Sequence, residues 1–181
     1  PTVAVVREFD ATPERVVRAF VDPDLFTKWV GPHEVSTNIN HWNAVTGGAY
    51  RWANLQDGEE IASFYGSFHE VRENERIVQT QTFEMIPDGV LLETITFEPL
   101  EGGRTRVTST SLLESFAMRD GLVASGMEYG VRAGYEKLDA LLAVGTGAVG
   151  TNTVGAGLPA NAASAPPSSR PSPLPHLHAP L

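Results

Sequence analysis

Between Glu34 and Leu113 the chain runs through six segments with the character of strands: 34–42, 49–55, 61–71, 76–85, 90–98 and 105–113. Apolar and polar side chains alternate along them, the period of a strand that buries one face. The turns between them carry TGG, DG, NE, PDG and EGG. These are hairpin connections, so the sheet is predicted to be antiparallel. Upstream, Val3 to Phe9 reads as an opening strand. Thr12 as N-cap and Pro13 at the first helical position then start a helix with an apolar stripe of Val16, Val17, Phe20 and Val21. A second, short helix lies in DPDLFTKWVGPHEV (22–35): Asp22, Pro23 and Asp24 start it, Leu25, Phe26 and Trp29 recur at helical spacing, and Gly31-Pro32 stops it. Trp29 on so short a helix reads either as a plug in a core or as part of the mouth of a cavity.

The spacing of Met127, Val131, Tyr135, Leu138 and Leu142 predicts one long helix from about Met118 to Leu142. Gly126, Gly130 and Gly134 fall inside it at four-residue intervals. Glycine in a helix costs about 0.5–1 kcal/mol relative to alanine. Three together call either for close approach of the helix to the sheet or for room left beside Met127 and Val131.

The order of elements is strand, two short helices, six strands, one long helix. This is an α+β chain with a curved antiparallel sheet of about seven strands. Only the C-terminal helix is long enough to cover the concave face, and a helix laid across a strongly bent sheet can leave space beneath it.

Composition changes near Val144. Residues 1–143 are mixed and rich in aromatics, and read as one domain. Residues 144–181 are mostly Gly, Ala, Ser and Pro, without an aromatic residue and almost without charge. That composition offsets too little of the ordering entropy, about 1–2 kcal/mol per residue, and is expected to form a disordered tail.

The net charge of -9 and the pI of about 4.9 argue against nucleic acid and anionic membrane surfaces as partners. The absence of cysteine rules out disulfides, thiolate metal sites and a cysteine nucleophile. No apolar run reaches the roughly 20 residues of a membrane span. The opening residues lack the layout of a signal peptide. A cytoplasmic protein without membrane insertion is the expectation.

Alternation also assigns side chains to the concave face. In AYRWANL, Tyr50, Trp52 and Asn54 share a face opposite Arg51; in VLLETITFE, Leu91, Glu93, Ile95 and Phe97 share a face opposite Thr94 and Thr96. Phe68, Phe83, Met127 and Val131 are expected to join them. Such a lining suits a flat apolar ligand, although core and cavity look alike in a one-dimensional pattern. Glu93 is the candidate for chemistry. A buried carboxylate must be paired, protonated or functional, with Arg51, Arg132 or His41 as possible partners. It would serve as a general base or a polar anchor. The alternative, the commoner outcome in curved sheets, is a β-bulge that turns Glu93 to solvent. His33, His41 and His69 have no metal-ligand partner at helical or hairpin spacing, and the HLH at His176 and His178 lacks a third ligand. No metal and no cofactor are expected. Ser-His-Asp order, a phosphate loop and GxGxxG are all missing, and the glycines of TGGAY open a strand instead of a helix.

The stretches ATPERVVRAFVDPDLFTKWVGP (11–32), TGGAYRW (46–52), YGSFHEVRENERIVQTQTFE (65–84), GGRTRVTST (102–110) and SGMEYGVRAGYEKLDALL (125–142) carry a family resemblance. The chain resembles the START-like superfamily with the helix-grip (Bet v 1-like) fold. Within it, it is similar to bacterial proteins related to the C-terminal domain of the activator of Hsp90 ATPase. The resemblance covers essentially all of 1–143 and none of the tail. It implies a hydrophobic cavity between sheet and long helix, with Trp29 holding the second short helix in place and Trp52 the better ligand contact. It implies no single reaction, since members bind lipids, polyketides or hormones, act as cyclases or hydrolases, or serve as co-chaperones.

Three functions compete. The first is binding of a small hydrophobic or aromatic ligand by Tyr50, Trp52, Phe68, Phe83, Glu93, Phe97, Met127 and Val131. The second is a cavity enzyme of the cyclase or hydrolase type with Glu93 as acid–base group. The third is a co-chaperone that stimulates an ATPase through its surface. A homodimer and a protein partner are left open.

Overall fold

The computed structural model describes residues 1–144, so the expected tail, Val144 apart, lies outside the described residues. β1 (Thr2–Phe9) leads into helices α1 (Pro13–Val21) and α2 (Pro23–Trp29). Six strands follow: β2 (Ser36–Trp42), β3 (Ala49–Gln56), β4 (Glu59–Arg72), β5 (Arg76–Phe83), β6 (Val90–Leu100) and β7 (Arg104–Leu112). They form one sheet of order β1-β7-β6-β5-β4-β3-β2, antiparallel throughout. β2 to β7 are joined as consecutive hairpins. β1 closes on β7, pairing Thr2 with Leu112 and Phe9 with Thr105. This is the α+β helix-grip architecture.

The long C-terminal helix differs from the expectation. It is two helices, α3 (Phe116–Ala124) and α4 (Met127–Val144). The break is Gly126, at φ +81°. Ser125 ends α3, its N–H donating to the carbonyl of Gly121. Glycine then takes the left-handed conformation with no Cβ penalty. Gly126 is therefore a helix terminator, and only Gly130 and Gly134 sit inside a helix. α3 buries no residue. α4 buries Ala133, Gly134, Tyr135, Leu138 and Leu142.

Three register shifts curve the sheet, at Ile39/His41, Asn54/Leu55 and Phe68/Glu70. All involve β2 to β5. The pairings of β6 with β5 and with β7 run without a shift. At one end α1 and α4 pack solidly on the sheet, where Phe9, Val16, Val107 and Leu138 are fully buried. Thr105, buried with them, donates from Oγ1 to the carbonyl of Ala11 at 2.6 Å. Arg7 of β1 pairs with Asp139 of α4, and Arg15 of α1 donates to the carbonyl of Leu142 at 2.6 Å. These contacts hold one end of α4 to the sheet. Toward the other end, helix and sheet diverge.

Candidate functional site

A cavity of about 350 Å³ lies between the concave face of the sheet and α4. Trp29, Val30, Gly31 and Pro32 close it on one side, and Leu122 of α3 and Met127 at the start of α4 contribute to its rim. The turn after α2 is fastened to α4 by Lys137, whose ammonium donates to the carbonyls of Val30 (3.2 Å) and Pro32 (3.1 Å). Desolvation lowers the pKa of this lysine from its ordinary value. Gly31 is at φ +80°, and a Cβ there would stand 2.9 Å from Oδ1 of the buried Asn54. Only glycine allows both the turn and that approach.

Aromatic rings form a connected run along the wall. Trp52 stacks on Phe64 (centroids 4.3 Å) and meets Phe26 edge-on (5.6 Å). Trp42 leans on Phe26 (4.6 Å) and on Tyr50 (5.8 Å), and Tyr50 packs on Phe68 (5.1 Å). Tyr50 is fixed further by its hydroxyl, which donates to the carbonyl of Thr80 at 2.9 Å.

The floor carries a polar band. Gln79, Glu93 and Ser111 are cross-strand neighbours on β5, β6 and β7. The Glu93 carboxylate accepts from Nε2 of Gln79 at 2.7 Å and from Oγ of Ser109 at 2.5 Å. Gln79, Gln81, Ser109 and Ser111 all reach the cavity. Tyr50 and Tyr135 both have their pKa pushed up from the ordinary phenol value, by burial first and by the charge of Glu93 second.

Most residues singled out on alternation meet at this cavity. Tyr50, Trp52, Phe68, Glu93, Met127 and Val131 line it, with Asn54, Leu91 and Ile95. Two stand elsewhere, which corrects their expected place in the wall. Phe97 faces inward but belongs to the packed end, edge-on to Phe20 at 5.2 Å. Phe83 lies on the same face of β5 as Gln79 and Gln81, yet it stacks on Phe64 at 5.2 Å and stays out of the wall. The bulge that would turn Glu93 to solvent is also absent, since β6 keeps its register through Glu93 on both sides. Its expected cationic partners are engaged or turned outward. Arg51 is held by Glu84 (2.6 Å) and Glu60 (3.1 Å), and Arg132 and His41 are exposed.

Wall residues that alternation did not single out include Trp42, Phe64, Tyr135, Gln79, Gln81, Ser109 and Ser111. The signal for four of them was present in QTQTF and TSTS, where every second residue is a glutamine or a serine on the face shared with apolar neighbours. His33 is exposed beside Glu136 (3.3 Å), and His41 and His69 are exposed as well. Among the described residues no group of three or more His, Asp or Glu could hold a metal ion.

The two glycines within α4 have different surroundings. A Cβ on Gly134 would stand 3.1 Å from the carbonyl oxygen of Trp29, tighter than ordinary contact, whereas on Gly130 its nearest neighbour would be Cγ of Pro32 at 3.8 Å. Gly130→Ala is therefore expected to hold or raise stability, by up to about 1 kcal/mol of helix propensity. Gly134→Ala must push α4 from α2 and is expected to lose about 1–3 kcal/mol. Urea denaturation of both variants tests this. A loss of more than about 1 kcal/mol at Gly130 would show that α4 is tightly packed there too.

The Activator of Hsp90 ATPase homolog 1-like protein family matches residues 10–143. Solved structures with the same fold include a protein from Chromobacterium violaceum, 30% identical, with a TM-score of 0.68 over 78% of this chain and 97% of that one. A protein from Arthrobacter aurescens is 28% identical, with a TM-score of 0.72 over 86% of this chain and 93% of that one. One from Rhodobacter sphaeroides is 25% identical, with a TM-score of 0.70 over 79% and 93%. No curated protein matches the chain. With the family matched across the sheet and its helices, the chain belongs to the Activator of Hsp90 ATPase homolog 1-like family, a START-like family of the helix-grip fold.

Proposed function

We propose that this protein binds a small apolar or aromatic molecule in the cavity between sheet and α4, without a cofactor and without turning it over. The observation that carries this reading is the cavity itself. About 350 Å³ remains open within a domain whose other end is packed solid, and that volume is at the lower end of the range usual for small-molecule sites. Ring faces supply contact area at low entropic cost, and the Glu93 band supplies orientation.

Binding is favoured over catalysis by the company Glu93 keeps. Its hydrogen-bonding neighbours are an amide and a hydroxyl. The two tyrosines that feel its charge are pushed toward the protonated form, so they offer no second base. The binding unit in this reading is residues 1–143, with 144–181 a tail outside it. No helix among the described residues is long and apolar enough to cross a membrane, and a cytoplasmic binding protein fits that fact.

Native mass spectrometry of the protein purified without denaturant should show an extra mass, or the stripped protein should bind the neutral fluorophore N-phenylnaphthylamine with saturable, blue-shifted emission. Absence of both a co-purified molecule and fluorophore binding would remove the small-ligand reading and favour a surface interaction.

A further inference from the structure

We propose that the cavity is built for an organic amine: an apolar or aromatic body carrying a protonated amino group, which sits against Glu93. The inference rests on the small-ligand reading above and narrows it to a chemical class. Its first support is charge. Among the described residues Glu93 is the only ionisable side chain in the wall apart from the tyrosines, and no Lys, Arg or His lines it. Among the described residues no cation pairs with Glu93. The arginines of the neighbouring strands are engaged outside the cavity, Arg76 of β5 by Glu70, and Arg104 and Arg106 of β7 by Glu8 with Asp10 and Glu98; Arg51 on β3 is held by Glu84 and Glu60.

The second support is hydrogen-bond capacity. An ionised carboxylate offers about four acceptor sites, and Gln79 and Ser109 use two. An ammonium is a donor only, so it complements the remainder without competing with either neighbour.

The third support is the surrounding rings. Tyr50 and Tyr135 lie close enough to Glu93 for its charge to act on their hydroxyls, and Trp42 and Trp52 extend the aromatic wall from Tyr50. Ring faces attract a cation, and more strongly once it is out of water. A ligand carboxylate meets the opposite: repulsion from Glu93, with no basic side chain in the wall to offset it. The net charge of -9 favours approach of cations in the same sense.

Calorimetric titration of the full chain at neutral pH with three probes sharing one ring system tests this. The probes are naphthylmethylamine, naphthylmethanol and naphthylacetate. The amine is expected to bind at least about tenfold tighter than the alcohol, the gain of one charge-assisted contact, and the acid weakest of all. Glu93→Gln should erase the advantage of the amine over the alcohol. Glu98→Gln, on the outward face of the same strand, should keep it. The order of the three probes on the parent protein decides the matter even if Glu93→Gln fails to fold. Equal or tighter binding of the acid overturns the inference and leaves the cavity reading in place. An amine preference that survives in a folded Glu93→Gln overturns the role of Glu93. No binding of any of the three overturns both readings.

Discussion

Trp29→Ala is expected to cost about 3–5 kcal/mol of folding stability, the usual range for removing a buried large aromatic. Trp29 is 6% exposed and packs on Phe20 (4.7 Å), Phe26 (5.5 Å) and Tyr135 (6.1 Å). It thereby joins α1, α2 and α4 through one side chain. Its indole also solves a backbone problem. The carbonyl of Ala19 lies in the last turn of α1, where the helix partner four residues on is Pro23, and proline has no N–H to give. Nε1 of Trp29 donates to that carbonyl at 2.8 Å. The indole of Trp42 does the same for the carbonyl of Val21 at 2.7 Å. Two tryptophans thus cap the end of one helix, which lets Pro23 start α2 directly after α1. Trp29→Phe keeps most of the ring area but leaves the Ala19 carbonyl without its donor, and should lose about 1–3 kcal/mol. Urea midpoints at unchanged slope give both values. If Trp29→Ala shifted the equilibrium by less than about 1 kcal/mol, α2 would have to be held by something other than its tryptophan.

This explains why a seven-residue helix carries a tryptophan, and it marks how far the sequence could be read. The strands were legible because alternation and turn residues act locally: DG places the β3–β4 turn and EGG the β6–β7 turn without reference to the rest of the chain. The inward faces of β3 and β6 followed from the same alternation, but for Glu93 alternation left a bulge toward solvent as the commoner outcome, and only the unshifted register of β6 decides against it. What surrounds Glu93 did not follow from alternation. Gln79 and Ser109 reach it from two other strands, and their alignment is set by pairing across the sheet. Local pattern also overstated the wall. Phe97 and Leu91 share the inward face of β6, but Phe97 lies under α1 and Phe20 while Leu91 lies under open space; alternation reports the face and not the distance along it. The break between α3 and α4 was hidden for a related reason. Apolar residues continue at helical spacing past Gly126, and glycine reads alike as an interior residue or as a terminator until its φ is known. Gly130 and Gly134 posed a choice between close packing and open space, and each takes a different side of it.

Val131→Trp is expected to weaken binding at least about tenfold while leaving the fold intact. Val131 lies one turn beyond Met127 on α4, half-buried and in the cavity wall. In a filled core this enlargement would force neighbours off their rotamers, at a cost of about 1–3 kcal/mol or more. Against an open space of about 350 Å³ the indole has somewhere to go, and it gains contacts that the empty wall lacks. Stability should therefore stay within about 1 kcal/mol of the parent or rise. The same indole occupies the volume a ligand needs, so affinity for N-phenylnaphthylamine should fall by at least about tenfold, equivalent to roughly 1.4 kcal/mol. Ala133→Trp supplies the contrast. Ala133 is 2% exposed and outside the wall, so the larger side chain must displace packed atoms and should lower the melting temperature clearly. Thermal melts and fluorophore titrations on the two variants separate the cases. Loss of stability at Val131 equal to that at Ala133 would mean that the space under α4 closes in solution. Unchanged fluorophore binding to a stable Val131→Trp would place the ligand somewhere other than this cavity.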